Sequence, residues 1–312
     1  MHEKVMQIIE NIGEVMVGHG RAIAYLTAAL LAETHVLIED VPGVGKTTLA
    51  KSLARSIDCA FQRIQFTPDL VPADVTGANI YHQATGEFVF RPGPIMSNIV
   101  LADEINRASP KTQSSLLESM EERQVTVDGT THSIALPFLV LATQNSVEYE
   151  GTFPLPEAQL DRFSLRLDLG YPSPSQEKTI LRRLEREHPL KTLSSVAGAE
   201  DVVQMQALVR QVHVSDAVRE YLVTLAAASR QHPEVELGLS PRATFHMFRL
   251  GQALAWIRER DYVLPDDIKE LAPVACSHRI LLRPEARWEG TDGHAIITSI
   301  LDKTAVPGAR GA

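Results

Sequence analysis

The sequence predicts an α/β fold: a parallel five-stranded sheet with helices on both faces, an αβα sandwich, followed by a smaller all-α domain. Three observations lead there. Short apolar runs alternate with helical patterns as far as Gly170. A glycine-rich turn joins the first of those runs to the helix behind it. After Tyr171-Pro172-Ser173-Pro174, helical patterns are almost the only ones that recur. The expected division is an αβα core over residues 1–170, a helical domain over 171–302 and a flexible tail over 303–312.

Val5, Ile8, Ile9, Ile12 and Val15 recur at helical spacing, and Ile23, Leu26, Ala29 and Leu30 repeat the pattern. His35-Val36-Leu37-Ile38-Glu39 reads as a short buried strand, and 47–57 as a helix. Weaker strand character covers 60–66, and a third strand covers 99–102. A helix over 110–122 has Ser109 as its cap and Pro110 in its first turn. The fourth and fifth strands are expected at 138–143 and 165–169. Further helices are expected at 175–187, 199–212, 215–231, 241–258 and 265–278. The last ten residues are small and polar and are expected to fray.

Composition narrows the function classes. The 312 residues suit about two domains, and 44% apolar with 22% charged residues is ordinary for a water-soluble chain. The formal net charge of −9 argues against bulk phosphate binding, while leaving room for a local basic groove. The two cysteines, Cys59 and Cys276, form no C-x-x-C pair, and the eleven histidines show no metal-ligand spacing. The most apolar early segment, 22–38, is broken by Thr27, Glu33, Thr34 and His35, too polar for a membrane span or a signal peptide. A cytoplasmic location is expected.

The chemistry sits at strand ends. Asp40-Val41-Pro42-Gly43-Val44-Gly45-Lys46-Thr47-Thr48 follows a strand and opens a helix, the context a Walker A loop requires. Gly43 and Gly45 let the backbone approach phosphates, and the N–H groups from Val44 to Thr48 point at anionic oxygens. Lys46 reaches the β- and γ-phosphates of ATP, and the Thr47 hydroxyl ligates Mg²⁺. The strict pattern begins with Gly where this chain has Asp40, a residue that starts the turn rather than cradling phosphate. One strand later, Ile99-Val100-Leu101-Ala102 ends in Asp103-Glu104, a Walker B pair: Asp103 for the metal, Glu104 to polarise the attacking water. The fourth strand ends in Thr143-Gln144-Asn145, where the Asn145 amide can orient that water, the sensor 1 position.

Together with Pro68-Asp69-Leu70-Val71-Pro72-Ala73-Asp74, Arg91-Pro92-Gly93-Pro94, Glu157-Ala158-Gln159-Leu160-Asp161-Arg162-Phe163, Ser240-Pro241-Arg242-Ala243 and the segment around Pro265-Asp266-Asp267-Ile268, these motifs resemble the MoxR family of AAA+ ATPases over about residues 10–285. The resemblance implies a hexameric ring, Mg²⁺-ATP and a chaperone-like role in maturing other proteins or inserting metal cofactors, often beside a partner with a von Willebrand factor A domain. It places Arg162 at the subunit edge as an arginine finger for the neighbouring nucleotide, and Arg242 as sensor 2, contacting phosphates from the lid. Gly18 and His19 fall where such proteins contact adenine. Two loops, 77–90 and 124–136, correspond to a helix-2 insert and a pre-sensor-1 hairpin, the second with Asp128-Gly129 as its turn.

Three rival functions remain. A nucleic-acid motor needs Lys or Arg at the tips of those loops, and neither loop has one. A magnesium-chelatase-like motor subunit carries nearly the same motifs. A non-catalytic nucleotide-binding module tends to lose one of Lys46, Thr47, Asp103, Glu104, Asn145, Arg162 or Arg242, and this chain has all seven.

Overall fold

Two helices precede the first strand in the computed structural model, which describes residues 1–84, 86–144, 152–185 and 187–307. Helix α1 (His2–Val15) buries Val5, Ile8 and Ile12, the stripe its helical spacing predicts. Helix α2 (Gly20–Leu31) is apolar round most of its circumference and is buried accordingly. Strand β1 (His35–Glu39), helix α3 (Lys46–Ser56) and strand β2 (Phe61–Gln65) follow. A short helix α4 (Pro72–Thr76) leads into a hairpin of β3 (Gly77–His82) and β4 (Glu87–Pro92). Then come β5 (Ile99–Asp103), α5 (Pro110–Glu122) and a second hairpin of β6 (Gln124–Val127) and β7 (Thr130–Ser133). Strand β8 (Leu139–Gln144), one turn of helix α6 (Glu157–Leu160) and strand β9 (Phe163–Leu167) complete this part.

The sheet runs β2-β5-β8-β1-β9, and every neighbouring pair is parallel. Its strands alternate between two apolar layers, as a sheet covered on both faces requires. Val36, Ile38, Ile99, Leu101, Leu139 and Leu141 face a layer formed with α1, α2 and α3. Leu37, Val100, Ala102, Val140 and Ala142 face Leu116, Leu117 and Met120 of α5. The order carries the function: β8 lies between β1 and β5, so the loop after β1 and the carboxylates ending β5 flank the end of β8. Strand β9 starts and stops two residues before the predicted 165–169. The reason is Asp40, whose Oδ2 accepts the Leu169 and Gly170 N–H groups at 2.7 and 2.9 Å.

The remaining chain forms a mostly helical lid: α7 (Pro174–Leu184), α8 (Pro189–Thr192), α9 (Ala199–Val209), α10 (Asp216–Gln231), β10 (Val235–Leu237), α11 (Pro241–Ile257), α12 (Pro265–Cys276), β11 (Leu281–Leu282), α13 (Pro284–Trp288) and α14 (Gly293–Lys303). Ser173, Ser215, Ser240 and Asp292 cap α7, α10, α11 and α14 with side-chain oxygens. The lid is helical apart from a small antiparallel ribbon of β10 and β11, too short to leave a pattern in the sequence. Its apolar interior, with Met205, Leu225, Leu250 and Leu271, is continuous with the layer over α1 and α2.

Candidate nucleotide site and its arginine cluster

The loop between β1 and α3 is shaped by two left-handed residues, Gly43 (φ 88°) and Gly45 (φ 99°), where any other side chain would be strained. A β-carbon at Gly43 would meet nothing within 4 Å, so the backbone there is open to a ligand. Helix α3 begins at Lys46, so Thr47 and Thr48 lie in its first turn, where N–H groups are free of intrahelical partners. Val44 packs partly against the apolar layer beneath. The Lys46 ammonium donates to the Asp40 carbonyl at 2.8 Å, which folds the lysine back over its own loop.

At the end of β5, Asp103 and Glu104 sit in a network that reaches both neighbouring strands. Thr143 of β8 donates to Asp103 Oδ1 at 2.6 Å and accepts the Glu104 N–H at 2.8 Å. Arg63 of β2 donates to Asp103 Oδ2 from Nε and Nη2, at 2.9 and 2.6 Å. Gln65, two residues further on the same strand, donates to Glu104 Oε2 at 2.8 Å, and Arg107 lies 3.2 Å from that oxygen. Glu104 has φ 58° and ψ 48°, a left-handed backbone that costs a non-glycine residue about 1–2 kcal/mol. Such strain collects at functional positions. Asn145 lies outside the described residues, directly after Gln144, which pairs with Glu39.

A cavity of about 260 Å³ opens beside the loop. Val15, Met16, Val17 and His19 form one wall, Gly43, Val44, Gly45 and Thr48 the floor, and Pro172, Ile180 and Leu184 the lid side. Its lining is mainly apolar, as a purine base requires. Gly18 shapes the wall rather than lining it: a β-carbon there would sit 2.4 Å from the Gln176 side chain.

Arg162 and Arg242 are elsewhere. They line one cavity of about 330 Å³ together with Thr34, His35, Arg123, Arg210 and Arg249. Five arginines there face two glutamates, Glu33 and Glu121. Glu33 is paired with Arg123 at 2.7 Å and with Arg210. Glu121 is paired with Arg162 at 3.1 Å and with Arg242. Arg162 also donates to the Leu117 carbonyl at 2.5 Å. Thr34 and His35 mark the starting end of β1, whereas the nucleotide loop leaves its finishing end. Four strand steps of about 3.3 Å separate the two, about 13 Å. Burial pushes the His35 imidazole down to about 4, so it adds no positive charge at neutral pH.

A family model for ATPases associated with various cellular activities matches residues 35–165, and an AAA lid model matches residues 227–300. Chaperone MoxR1 of Mycobacterium tuberculosis is 39% identical, over 96% of this chain and 81% of its own length. The chain belongs to the MoxR family of AAA+ ATPases. The uncharacterized protein YeaC of Bacillus subtilis is similar at 54% identity, over 100% of this chain and 98% of its own. A crystal structure from Cytophaga hutchinsonii, provisionally named an ATPase, superposes with a TM-score of 0.92 at 40% identity, covering 98% of this chain and 95% of that one.

The sequence reading has Arg242 as sensor 2, contacting phosphates from the lid; the structure sets it beside Arg162, away from its own Walker A loop. The lid packs α11 against α2 and brings it onto β9, and Arg242 goes with it. The sequence reading also misses Arg63, Gln65, Thr143 and the α7 side of the apolar cavity. Arg63 and Gln65 alternate with Ile64 on an edge strand, a polar-face pattern that marks them only once β2 is known to border β5. MoxR proteins bind nucleotide, and the family ordinarily uses Mg²⁺. The residues here suit both: an open glycine loop with a lysine for phosphate, and the Thr47 hydroxyl and Asp103 carboxylate as the oxygen donors that Mg²⁺ prefers. Among the described residues no helix is long and apolar enough to cross a membrane.

Proposed function

We propose that this MoxR ATPase hydrolyses ATP at sites shared between neighbouring copies in a cytoplasmic ring, six copies being the number the resemblance implies, and uses the cycle to remodel or mature a partner protein. The observation that carries the shared site is the separation of Arg162 and Arg242 from their own loop. Two arginines that cannot reach the phosphates of their own subunit, in a cavity with surplus positive charge, suit an anion supplied from outside. A nucleotide presented by the adjacent copy meets that need.

In this reading Gly43, Val44, Gly45 and Thr48 cradle the phosphates with backbone N–H groups, and Lys46 leaves the Asp40 carbonyl to meet the β- and γ-phosphates. Thr47 and Asp103 would hold Mg²⁺, which would supply charge neutralisation at the phosphates. Glu104 draws a proton from water as its oxygen attacks the γ-phosphorus and the bond to ADP breaks. Asn145 orients that water. His19 and the α7 wall take the base, with Gly18 giving that wall its shape. Arg162, with Arg242 beside it, stabilises charge on the neighbour's γ-phosphate, an effect worth about 10³–10⁵ in rate, or about 4–7 kcal/mol of barrier. The chaperone role draws support from Chaperone MoxR1 among its relatives. A partner with a von Willebrand factor A domain and a metal-insertion task are the forms that role takes in the family.

Mixed rings test the shared site. Arg162→Ala keeps its own Glu104 but lends its neighbour no finger, and Glu104→Gln is dead but still lends Arg162. In an equal random mixture about one interface in four is complete, if interfaces act independently. Phosphate release should recover to about a quarter of the parent rate from two nearly silent preparations. Mixed rings proven by native mass spectrometry with no recovery would overturn the model of independent shared sites.

A further inference from the structure

The finger residue lies between two residues that the lid seizes. On one side, the Asp161 carboxylate accepts the Ser240 hydroxyl at 2.9 and 2.8 Å and lies 3.6 Å from Arg279 Nε and 3.8 Å from Arg242 Nη1. On the other side, the Phe163 carbonyl accepts Arg279 Nη2 at 2.6 Å and His278 Nε2 at 3.0 Å. Arg279 Nη2 also reaches the Asp161 carbonyl at 3.1 Å, so one guanidinium holds the carbonyls of the residues on both sides of Arg162.

This junction is expensive for a mere tether. The Arg279 side chain is 1% exposed, and its Nη1 has no hydrogen-bond partner among the described residues. Burial holds the neighbouring His246 and His278 imidazoles neutral, and Asp161 is the carboxylate that faces the guanidinium, 3.6 Å from Nε. Apolar packing would hold a lid at lower cost than a desolvated cation. What the buried guanidinium adds is direction: it fixes two carbonyls on either side of one residue relative to helices α11 and α12.

We infer that Arg279 and Asp161 are positioning residues, through which the lid sets where the Arg162 guanidinium points. The inference rests on Arg162 serving the neighbouring site. Lid movement then reaches the adjacent copy's phosphates through a rigid link: α11 and the turn after α12 move, Asp161 and Phe163 follow, and the finger swings. Arg242 moves with the same helix, so Arg162 and Arg242 shift together.

The test is Arg279→Gln in the full chain. Its own nucleotide affinity, measured with a fluorescent ATP analogue, should be unchanged. Its kcat should fall by about 100-fold, the cost of a misplacement near 1 Å. Arg279→Lys should recover part of that loss. Arg279→Gln lends a misdirected finger but keeps its own Glu104, so mixing with Glu104→Gln should restore turnover, as it does for Arg162→Ala run in parallel. Parent kcat in Arg279→Gln overturns the inference. So does restored turnover with Arg162→Ala but not with Arg279→Gln, while failure of both overturns the shared-site reading beneath it. Should Arg279→Gln fail to fold, Ser240→Ala removes one hydroxyl from the Asp161 carboxylate, together with the cap of α11. It should show a smaller fall in kcat with the same recovery on mixing, and no fall in kcat overturns the inference.

Discussion

Asp40 holds three backbone N–H groups with its carboxylate. Oδ1 accepts the Val41 N–H at 2.7 Å, and Oδ2 accepts Leu169 and Gly170, which pins the first residue of the phosphate loop to the far end of β9. Its nearness and its hydrogen bond to Asp168 help to raise the Asp168 carboxyl above its ordinary range, behind the larger effect of burial. Hydrogen bonds to a buried charge are worth about 1.5–3 kcal/mol each before desolvation is counted. Asp40→Ala should therefore lower stability by about 3 kcal/mol, seen as a lower urea midpoint without nucleotide. An unchanged midpoint would show that the clamp is dispensable. Lys46 and Glu104 divide their labour differently. Lys46→Ala should abolish measurable ATP binding in calorimetry, whereas Glu104→Gln should bind ATP and release no phosphate. Turnover at the parent rate in Glu104→Gln would remove the proposed role of that carboxylate.

At the scale of elements, the two hairpins are built as one unit. Asp128 and Gly129 turn β6 into β7 with φ of 48° and 81°, the paired positive angles of a two-residue hairpin turn. Asn79 of the first hairpin donates to Asp128 at 2.7 Å, and Phe90 stacks on His132 with centroids 3.8 Å apart. Beyond that contact the same face of β3–β4 continues outward through Tyr81 and Phe88, the latter 71% exposed. The hairpin contains one cation, Arg91, paired with Ala78 near its base and far from the tip. A phosphate backbone needs cations where it is gripped. DNA or RNA at moderate salt should leave ATP turnover unchanged in a coupled phosphate assay. A several-fold, salt-sensitive stimulation would restore the nucleic-acid motor as a reading.

For the whole molecule, acid is the weak side. His35 accepts the Val140 N–H on Nδ1 and donates from Nε2 to the Met120 carbonyl, so folding holds it neutral. Burial holds it to about 4 and drives His278 well below its ordinary range. In the unfolded chain both imidazoles titrate near 6.5. Below that pH the unfolded state takes up protons that the folded state refuses, so stability falls as pH drops from about 6.5 towards 4. Each imidazole steepens the fall by about 1.4 kcal/mol per pH unit. Urea midpoints at pH 7 and pH 5 should differ accordingly, and His35→Gln should flatten the difference. Equal midpoints would mean that these imidazoles are protonated in the folded protein.

The sequence by itself determined the strands and what stands at their ends. Each Walker motif is contiguous with the apolar run before it, and a parallel sheet delivers all such ends to one edge, so order along the chain becomes proximity in space. It also determined both apolar layers, since alternation within β1, β5 and β8 assigns each side chain to a face. The β3–β4 hairpin was legible only as an insert, because its exposed strands carry no alternation of burial. Tertiary structure decided what joins distant segments. Ser240 and Arg279 lie 79 and 118 residues from Asp161, and Arg63 lies 40 from Asp103. No local pattern encodes such meetings, because a buried charge finds its partner through the packing of whole elements. The meeting of Arg162 and Arg242 on Glu121, at the end of the sheet opposite their own loop, is of this kind: it follows from how α11 packs on α2 and β9.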